Sequence, residues 1–435
     1  MQDFFRRVIP AGSAILMATT LGSYIVGLLR DRIFAQTYGL SSQLDAYNAA
    51  FLLPDFFFNL LVASGIAAAV VPLFSDLKQQ DKKDAYGYLN SIISASMLLM
   101  VGVSLLLVIF AGPAAALVAP GLSADDQQLT TRLIRLLALS PILFAASNAL
   151  GAALITEKRF LFYGLSPIFY NIGIIGGTLY LAPSFGVVGT AIGTIIGAIL
   201  HAVVRGIDAW RSGWRPAFSA QWNTKEFRTT VRLMIPKMVG HPIELVTFWM
   251  FTAIASTLTA GSISALNFAR NFQSVPVSII GISISTAVFP VLANAMSRKS
   301  PQEYHRTLWQ TLSIILGLST LAAMALYVIR EPLVSILLGG GEFGSEDAAR
   351  TAGILGAFCL AVPTESTSHL LARAFYAKKN TLTPVVFSVI SLAIAVGSAL
   401  LMLPALQLYA LPIGFFLGSL TKVTGLTIVS YRQRA

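Results

Sequence analysis

Charge is scarce in this chain. Only 11% of its 435 residues are Asp, Glu, Lys or Arg, against 55% apolar, and the mean hydropathy is +0.74. Soluble domains carry about 25% charged residues, so a soluble globular protein is excluded and an integral membrane protein follows. Cysteine is nearly absent: Cys359 is alone, inside an apolar run, which excludes a disulfide framework. One cysteine and four histidines give no zinc-ligand spacing, so neither a metal site nor a cofactor is expected. No Walker-type glycine loop occurs. Gly189, Gly193 and Gly197 recur every fourth residue, but within an apolar stretch, where small-xxx-small spacing signals close helix packing. No nucleophile stands beside a plausible base, and no acid/base set converges. The chain is therefore read as a non-enzyme, and a membrane glycosyltransferase is disfavoured.

What the sequence has is long hydrophobic runs, many near the roughly 20 residues that a spanning helix needs. A closed barrel would show alternating segments of about ten residues instead. Twelve spans are expected, near 8–29, 45–73, 87–112, 130–154, 160–182, 186–204, 229–254, 260–293, 309–329, 349–374, 382–403 and 407–430. The basic N-terminus resembles a signal peptide, but its apolar part is too long and no cleavage site precedes Arg30, so it reads as an uncleaved first helix. Basic loops (Arg6 and Arg7, Lys78–Lys83, Lys158–Arg159, Arg205–Arg228, Arg298–Lys299, Lys378–Lys379, Arg432 and Arg434) alternate with uncharged or acidic ones, with the stretch around Arg30 as the exception. The positive-inside rule then puts both termini in the cytoplasm. The net charge of +11 is thus a topology signal rather than a nucleic-acid footprint.

The chain repeats itself. "AVVPLF" at Ala69–Phe74 returns as "AVFPVL" at Ala287–Leu292, 218 residues on, and Tyr86 matches Tyr304 at the same interval. Pro113 pairs with Pro332 and Pro167 with Pro384, at 219 and 217 residues. Two parallel lobes of six helices are expected, residues 1–204 and 229–435, with a cavity between them. The connection 205–228 carries Trp210, Trp214 and Trp222 among basic residues, as an amphipathic segment in the headgroup layer would.

Ionisable residues inside spans cost roughly 2.5–3.5 kcal/mol each at the bilayer centre, and so are informative. Arg270 lies in the eighth span with no acid within a helical turn of it. Lys237, His241 and Glu244 share one face of the seventh span, and Glu365, His369 and Arg373 one face of the tenth. Two readings stay open for them: a polar cavity with proton or ion coupling, or self-neutralising pairs that hold helices together.

The most specific signal is a charged elbow, "GLLRDRIFAQTYG…LDAYNAAFLLPD…AAAVVPLFSD", beginning at Gly27. It resembles the N-terminal signature of the MurJ/MviN family of bacterial lipid II flippases. "GGGEFGSEDA" and "FYAKKNTLTP" in the second half are similar to further family segments. The resemblance is colinear over nearly the whole chain. It implies an all-α integral membrane protein of about twelve transmembrane helices in two parallel six-helix lobes, the MATE-like fold of the multidrug/oligosaccharidyl-lipid/polysaccharide exporter (MOP) superfamily, around a central cavity. It also implies translocation of lipid II, a polyprenyl-diphosphate-linked glycopeptide, across the bacterial cytoplasmic membrane by alternating access.

By family position, Arg30, Asp31, Asp45, Asn59, Arg270 and Asn271 become candidates for substrate binding. Arginine suits a diphosphate because its planar fork donates two parallel hydrogen bonds. This chain departs from the family where arginines are common: Tyr24, Phe58 and Asn59 stand there, and Ala63 replaces a glutamate. On the eighth helix the family's Asp-Arg and later Glu appear as Arg270, Asn271 and Ser274. The thinned basic set keeps alternatives open: another lipid-linked glycan, an amphiphilic drug, or a transport-inactive scaffold of the cell-wall machinery. An interfacial anchor is the competing reading of Arg30 and Asp31. No acid lies in the eleventh span, so a carboxylate sodium site is not expected there.

Overall fold

The computed structural model describes residues 11–240, 242–298 and 300–432. Arg6, Arg7, His241, Lys299 and Arg434 lie outside the described residues. The described chain is helical, and no strand occurs among those residues beyond a single bridge between Gly340 and Phe343. By length and composition, eight helical stretches in the described residues are apolar enough to cross a membrane. They cover nine of the twelve expected segments, because Leu382–Arg432 contains two, joined by the turn Gln407–Tyr409. The other three expected segments are helical too: Ala11–Tyr38, the pair Lys225–Gly240 and Pro242–Ala255, and the pair Ser345–Cys359 and Ala361–Ala377.

The chain divides into two compact units. The first is Met1–Tyr38 with Ser42–Pro242; the second is Gly39–Ser41 with Ile243–Ala435. This differs from lobes ending at 204 and beginning at 229, for packing reasons. The Val187–Arg211 helix runs seven residues past 204. Met234, on Lys225–Gly240, is buried in the core of the first unit with Phe74, Ile92 and Leu154. On the same helix, Thr230 Oγ1 lies 2.6 Å from the Tyr88 hydroxyl. The connecting segment is also less superficial than its composition implies. Trp210 and Phe218 are exposed, but Trp214 is buried and donates from Nε1 to Asn90 Oδ1 at 2.8 Å.

Inside each unit the same local devices recur. A π-helical turn interrupts a long helix at Asn59–Ala63 in the first unit and at Val277–Ile282 in the second, their starts 218 residues apart. A proline precedes each turn, Pro54 five residues before the first and Pro276 directly before the second. Helices Ser140–Thr156 and Ala361–Ala377 end alike. Lys158 and Lys379 take a left-handed φ of 59°, and the following amides of Arg159 and Asn380 reach back to the carbonyls of Leu154 and Phe375. Tyr86 and Tyr304 brace these two ends. Tyr86 donates to Glu157 Oε1 at 2.8 Å, and Tyr304 to the Ala374 carbonyl at 2.8 Å.

The glycine spacing is used as expected. Helices Phe160–Gly176 and Val187–Arg211 approach so closely that a β-carbon on Gly193 would come 2.5 Å from Gly177 Cα and 2.7 Å from Gly173 O. Backbone on both sides leaves nothing to yield. Gly193→Val should therefore lower the melting temperature of purified protein sharply, or abolish folded protein, in a detergent thermal-shift measurement. Gly206→Ala, on the same helix with nothing within 4 Å, should leave the melting temperature unchanged or slightly raised.

Candidate functional site

Arg30 sits well inside the Ala11–Tyr38 helix, half-buried, with every kind of guanidinium nitrogen engaged. Nε and NH2 donate to Asp31 Oδ1 at 3.1 and 2.7 Å, and NH1 donates to Asn171 Oδ1 at 3.0 Å. Asn171 is aimed by its own amide, which donates to the Pro167 carbonyl one turn back. The guanidinium lies 5.8 Å from the Phe34 ring centroid. Asp45, in the first turn of Ser42–Phe58, is 2% exposed. Such a carboxylate at a helix start is favoured by the helix dipole. The structure thus joins Arg30 and Asp31 directly and adds Asn171, which sequence reading passed over because a lone asparagine in an apolar helix carries no pattern.

Asn59 is placed elsewhere. On the π-turn its amide donates to the Asp55 carbonyl at 2.9 Å and to Asp55 Oδ1 at 2.8 Å. Asp55 borders a cavity of about 160 Å³ within the first unit, walled by Phe51, Phe58, Phe144 and Tyr170. Phe58, where the family commonly has arginine, is one of those walls. The cavity is therefore aromatic with one carboxylate, not cationic.

In the second unit, the acid missing near Arg270 in sequence comes from another helix. Arg270 NH2 donates to Glu244 Oε1 at 3.1 Å, and the guanidinium stacks 3.2 Å from the Phe248 ring centroid. The expected face of Lys237, His241 and Glu244 includes His241, which lies outside the described residues; Lys237 is on Lys225–Gly240, and Glu244 is in the first turn of Pro242–Ala255. Asn271 is on the same helix as Arg270, and its carbonyl accepts from Ser274 Oγ at 2.8 Å.

Glu365 and His369 keep their shared face on Ala361–Ala377, and Gln273 Nε2 donates to Glu365 Oε2 at 2.7 Å. Arg373, one turn further, donates instead to the Ile282 carbonyl at 2.8 Å. A β-carbon on Gly281 would meet Ser366 Cα at 2.6 Å, so the π-turn lies directly on this helix beside Glu365. Lys422, from Ala410–Arg432, acts electrostatically on Glu365, Glu244 and His369. Sequence reading missed it, although a lysine inside the twelfth span obeys the same rule that singled out Arg270.

A third charged cluster closes one end of the first unit. Lys78 Nζ lies 2.5 Å from Glu157 Oε1, which Tyr86 also contacts, and Arg159 pairs with the buried Asp208. Deeper in, Arg205 is 4% exposed, and no carboxylate among the described residues pairs with it. Its Nε donates to Ser166 Oγ at 2.8 Å, its NH1 to the Ser147 carbonyl at 3.0 Å, and it stacks 4.5 Å from the Tyr163 ring centroid. Arg205 and Asp208 are thus interior parts of a helix, not members of a surface linker. Burial would push the Glu157 carboxyl up, but hydrogen bonds from Lys78, Tyr86 and Ser212 override it and hold the group below its usual range.

The comparisons agree on one family. A family model described as "Lipid II flippase MurJ" matches residues 34–435. The chain is 27% identical over 397 residues to the probable lipid II flippase MurJ of Bdellovibrio bacteriovorus, covering 89% of this chain and 75% of that one. To the probable lipid II flippase MurJ of Haemophilus influenzae it is 27% identical over 405 residues, covering 88% and 79%. Among solved structures, an inward closed conformation of lipid II flippase MurJ superposes with a TM-score of 0.82 at 24% identity, over 96% of this chain and 88% of that one. An inward-facing MATE-family multidrug transporter of the MOP superfamily gives 0.77 at 14% identity, over 96% and 97%. At these identities the structural likenesses establish the fold alone.

The Glu157 cluster generates a pH prediction. A carboxylate depressed by folding stabilises above its unfolded pKa, and that contribution disappears as pH falls through the folded value. The melting temperature of the purified wild type should therefore fall on acidification. Glu157→Gln should start roughly 1–3 kcal/mol less stable at neutral pH, because it leaves Lys78 without its partner, and should show a flatter acid profile.

Proposed function

The chain belongs to the lipid II flippase MurJ family, and from that premise we propose that it carries lipid II across the cytoplasmic membrane by alternating access. It is a multi-pass protein of that membrane, with the MOP-superfamily helical fold, and its family is one of transporters. The observation that carries the substrate reading is the family match over residues 34–435.

Physical chemistry supports it within each unit. Lipid II presents a diphosphate headgroup on an apolar chain. The headgroup needs cationic donors to leave water, while the chain stays in lipid. Arg30 and Asp31 on the first unit, and Arg270 with Asn271 on the second, are the proposed headgroup contacts. Each arginine already has a carboxylate beside it, so substrate phosphate would exchange with Asp31 or Glu244 rather than meet a bare cation. Asp45 and Asn59 are proposed as supporting groups, and a coupling ion is proposed to drive the cycle. The loop charges support cytoplasmic placement of both termini.

One observation favours a second reading. Phe58 and Asn59 replace family arginines, and Phe58 lines the aromatic cavity that Asp55 borders. Aromatic walls with a carboxylate suit an amphiphilic organic cation better than a diphosphate. Drug-resistance profiling separates the two.

Arg270→Ala should abolish or strongly impair growth rescue in cells depleted of their lipid II flippase, at normal expression. Losing a charge-assisted hydrogen bond weakens binding by about ten-fold or more. Arg270→Lys should rescue only in part, because an ammonium cannot reproduce the planar fork. Arg211→Ala, on an exposed side chain 5.6 Å from the Phe162 ring centroid, should be nearly silent. Full rescue by both Arg270→Ala and Arg30→Ala would remove these arginines from headgroup binding.

Topology gives an independent check. Reporters fused at the C-terminus and near Ser184 should report opposite sides of the membrane. The same side for both would refute the proposed orientation.

A further inference from the structure

Glu365 differs from every paired carboxylate described above. It is the fifth residue of Ala361–Ala377, with its side chain half-buried, and its hydrogen-bond donor is an amide, Gln273 Nε2 at 2.7 Å. Among the described residues it makes no ion pair within 4 Å, whereas Asp31, Glu157, Asp208 and Glu244 each do. Its charged neighbours act from further off: Glu244 from Pro242–Ala255, Arg270 from Ser262–Pro276 and Lys422 from Ala410–Arg432. His369 and Arg373 stand one and two turns along its own helix. The π-turn Val277–Ile282, the Ser283–Ser297 helix and the Leu382–Leu406 helix bring no ionisable side chain. The Pro301–Leu338 helix carries Glu303, Tyr304, His305, Arg306, Tyr327, Arg330 and Glu331, and Ser345–Cys359 carries Glu346, Asp347, Arg350 and Cys359; none of these is among the charges that act on Glu365.

We propose that Glu365 is a proton-binding site of the second unit, with Lys422 and Glu244 as the charges that set when it takes its proton. The argument is electrostatic and geometric. A carboxylate in an apolar helix must be neutralised. A direct cation would do this permanently, as Arg270 does for Glu244. An amide donor with cations at a distance leaves protonation as the alternative, and makes it reversible. With both glutamates ionised, two carboxylates face Arg270 and Lys422, and the cluster is balanced. A proton from water on Glu365 converts carboxylate to carboxyl and leaves one positive charge in excess. Lys422 then loses a counter-charge on the helix it packs against.

The donor set argues for a proton rather than a metal ion. Two basic side chains already occupy the positive role, and no group of three His, Cys, Asp or Glu gathers among the described residues. A proton bound here would bias the arrangement of Ala361–Ala377 against Ala410–Arg432, and so drive a transport cycle only as far as the two arrangements differ in proton affinity. That coupling role rests on the transport reading. The site itself does not.

The test uses the full chain in phosphatidylethanolamine–phosphatidylglycerol vesicles, with infrared difference spectra between mildly acidic and mildly alkaline buffer. The expected result is a deuterium-sensitive protonated-carboxyl band that is lost in Glu365→Gln and kept in Glu244→Gln. Lys422→Met should hold the band to a pH about one unit more alkaline, and Glu244→Gln should release it at a more acidic pH. Survival of the band in Glu365→Gln overturns the proposal. So does a titration that moves when sodium replaces choline. If Glu365→Gln fails to fold, the Lys422 and Glu244 variants decide it, and no movement with either one overturns it.

Lipid II translocation in the same vesicles forms a separate arm. Wild-type rates should respond to an imposed pH gradient and those of Glu365→Gln should not. Translocation insensitive to the gradient, with the band intact, overturns the coupling role. No translocation by wild type, with the band intact, overturns the lipid II reading and leaves the proton site standing.

Discussion

A charge inside a hydrocarbon layer has no water to fall back on, and the organisation of this protein follows from that single restriction. With so few ionisable residues in the chain, the arginines on its apolar helices are held by close partners. Arg30 is gripped by Asp31 and Asn171, and Arg270 by Glu244 and the face of Phe248. Arg205 is held by two oxygen acceptors and the Tyr163 ring. The partners come from different helices in all but the Arg30–Asp31 contact, so the charges also tie helices together. A polar pair in such surroundings is a structural clasp.

The two units solve their backbone problems alike. A proline-associated π-turn, a left-handed lysine closing a helix, and a tyrosine bracing that helix end occur in both. A π-turn leaves the helix locally wide and its carbonyls less committed. Ile282, at the end of the second one, offers its carbonyl to Arg373. The units diverge in what they place around these devices. The first has an aromatic cavity beside Asp55, and the second a cluster of Glu244, Arg270, Glu365 and Lys422. Repetition supplies the scaffold, and divergence of a few side chains supplies different chemistry.

Sequence reading went far on the fold because the bilayer imposes a simple code. Apolar runs of spanning length are helices, since no other open structure satisfies its own backbone there. Glycines four apart meant close packing, and Gly193 against Gly177 bears that out. At 205–228 composition suggested a surface strip, yet Trp214 and Arg205 are interior residues there, because tertiary neighbours, not local hydropathy, decide burial.

What the sequence determined by itself was the class of molecule: a helical membrane protein, built as a repeat, of the MurJ family, with a charged elbow at Arg30 and ionisable residues inside its spans at Arg270, Glu365 and His369. Those features are local or periodic, so they can be read one segment at a time. Only the tertiary structure decided who pairs with whom. Glu244 reaches Arg270 across 26 residues, Gln273 reaches Glu365 across 92, and Arg30 reaches Asn171 across 141. Such partnerships depend on the packing of helices far apart in the chain. Electrostatic energy depends on separation in space and on the surrounding medium, and neither is encoded by position along the chain.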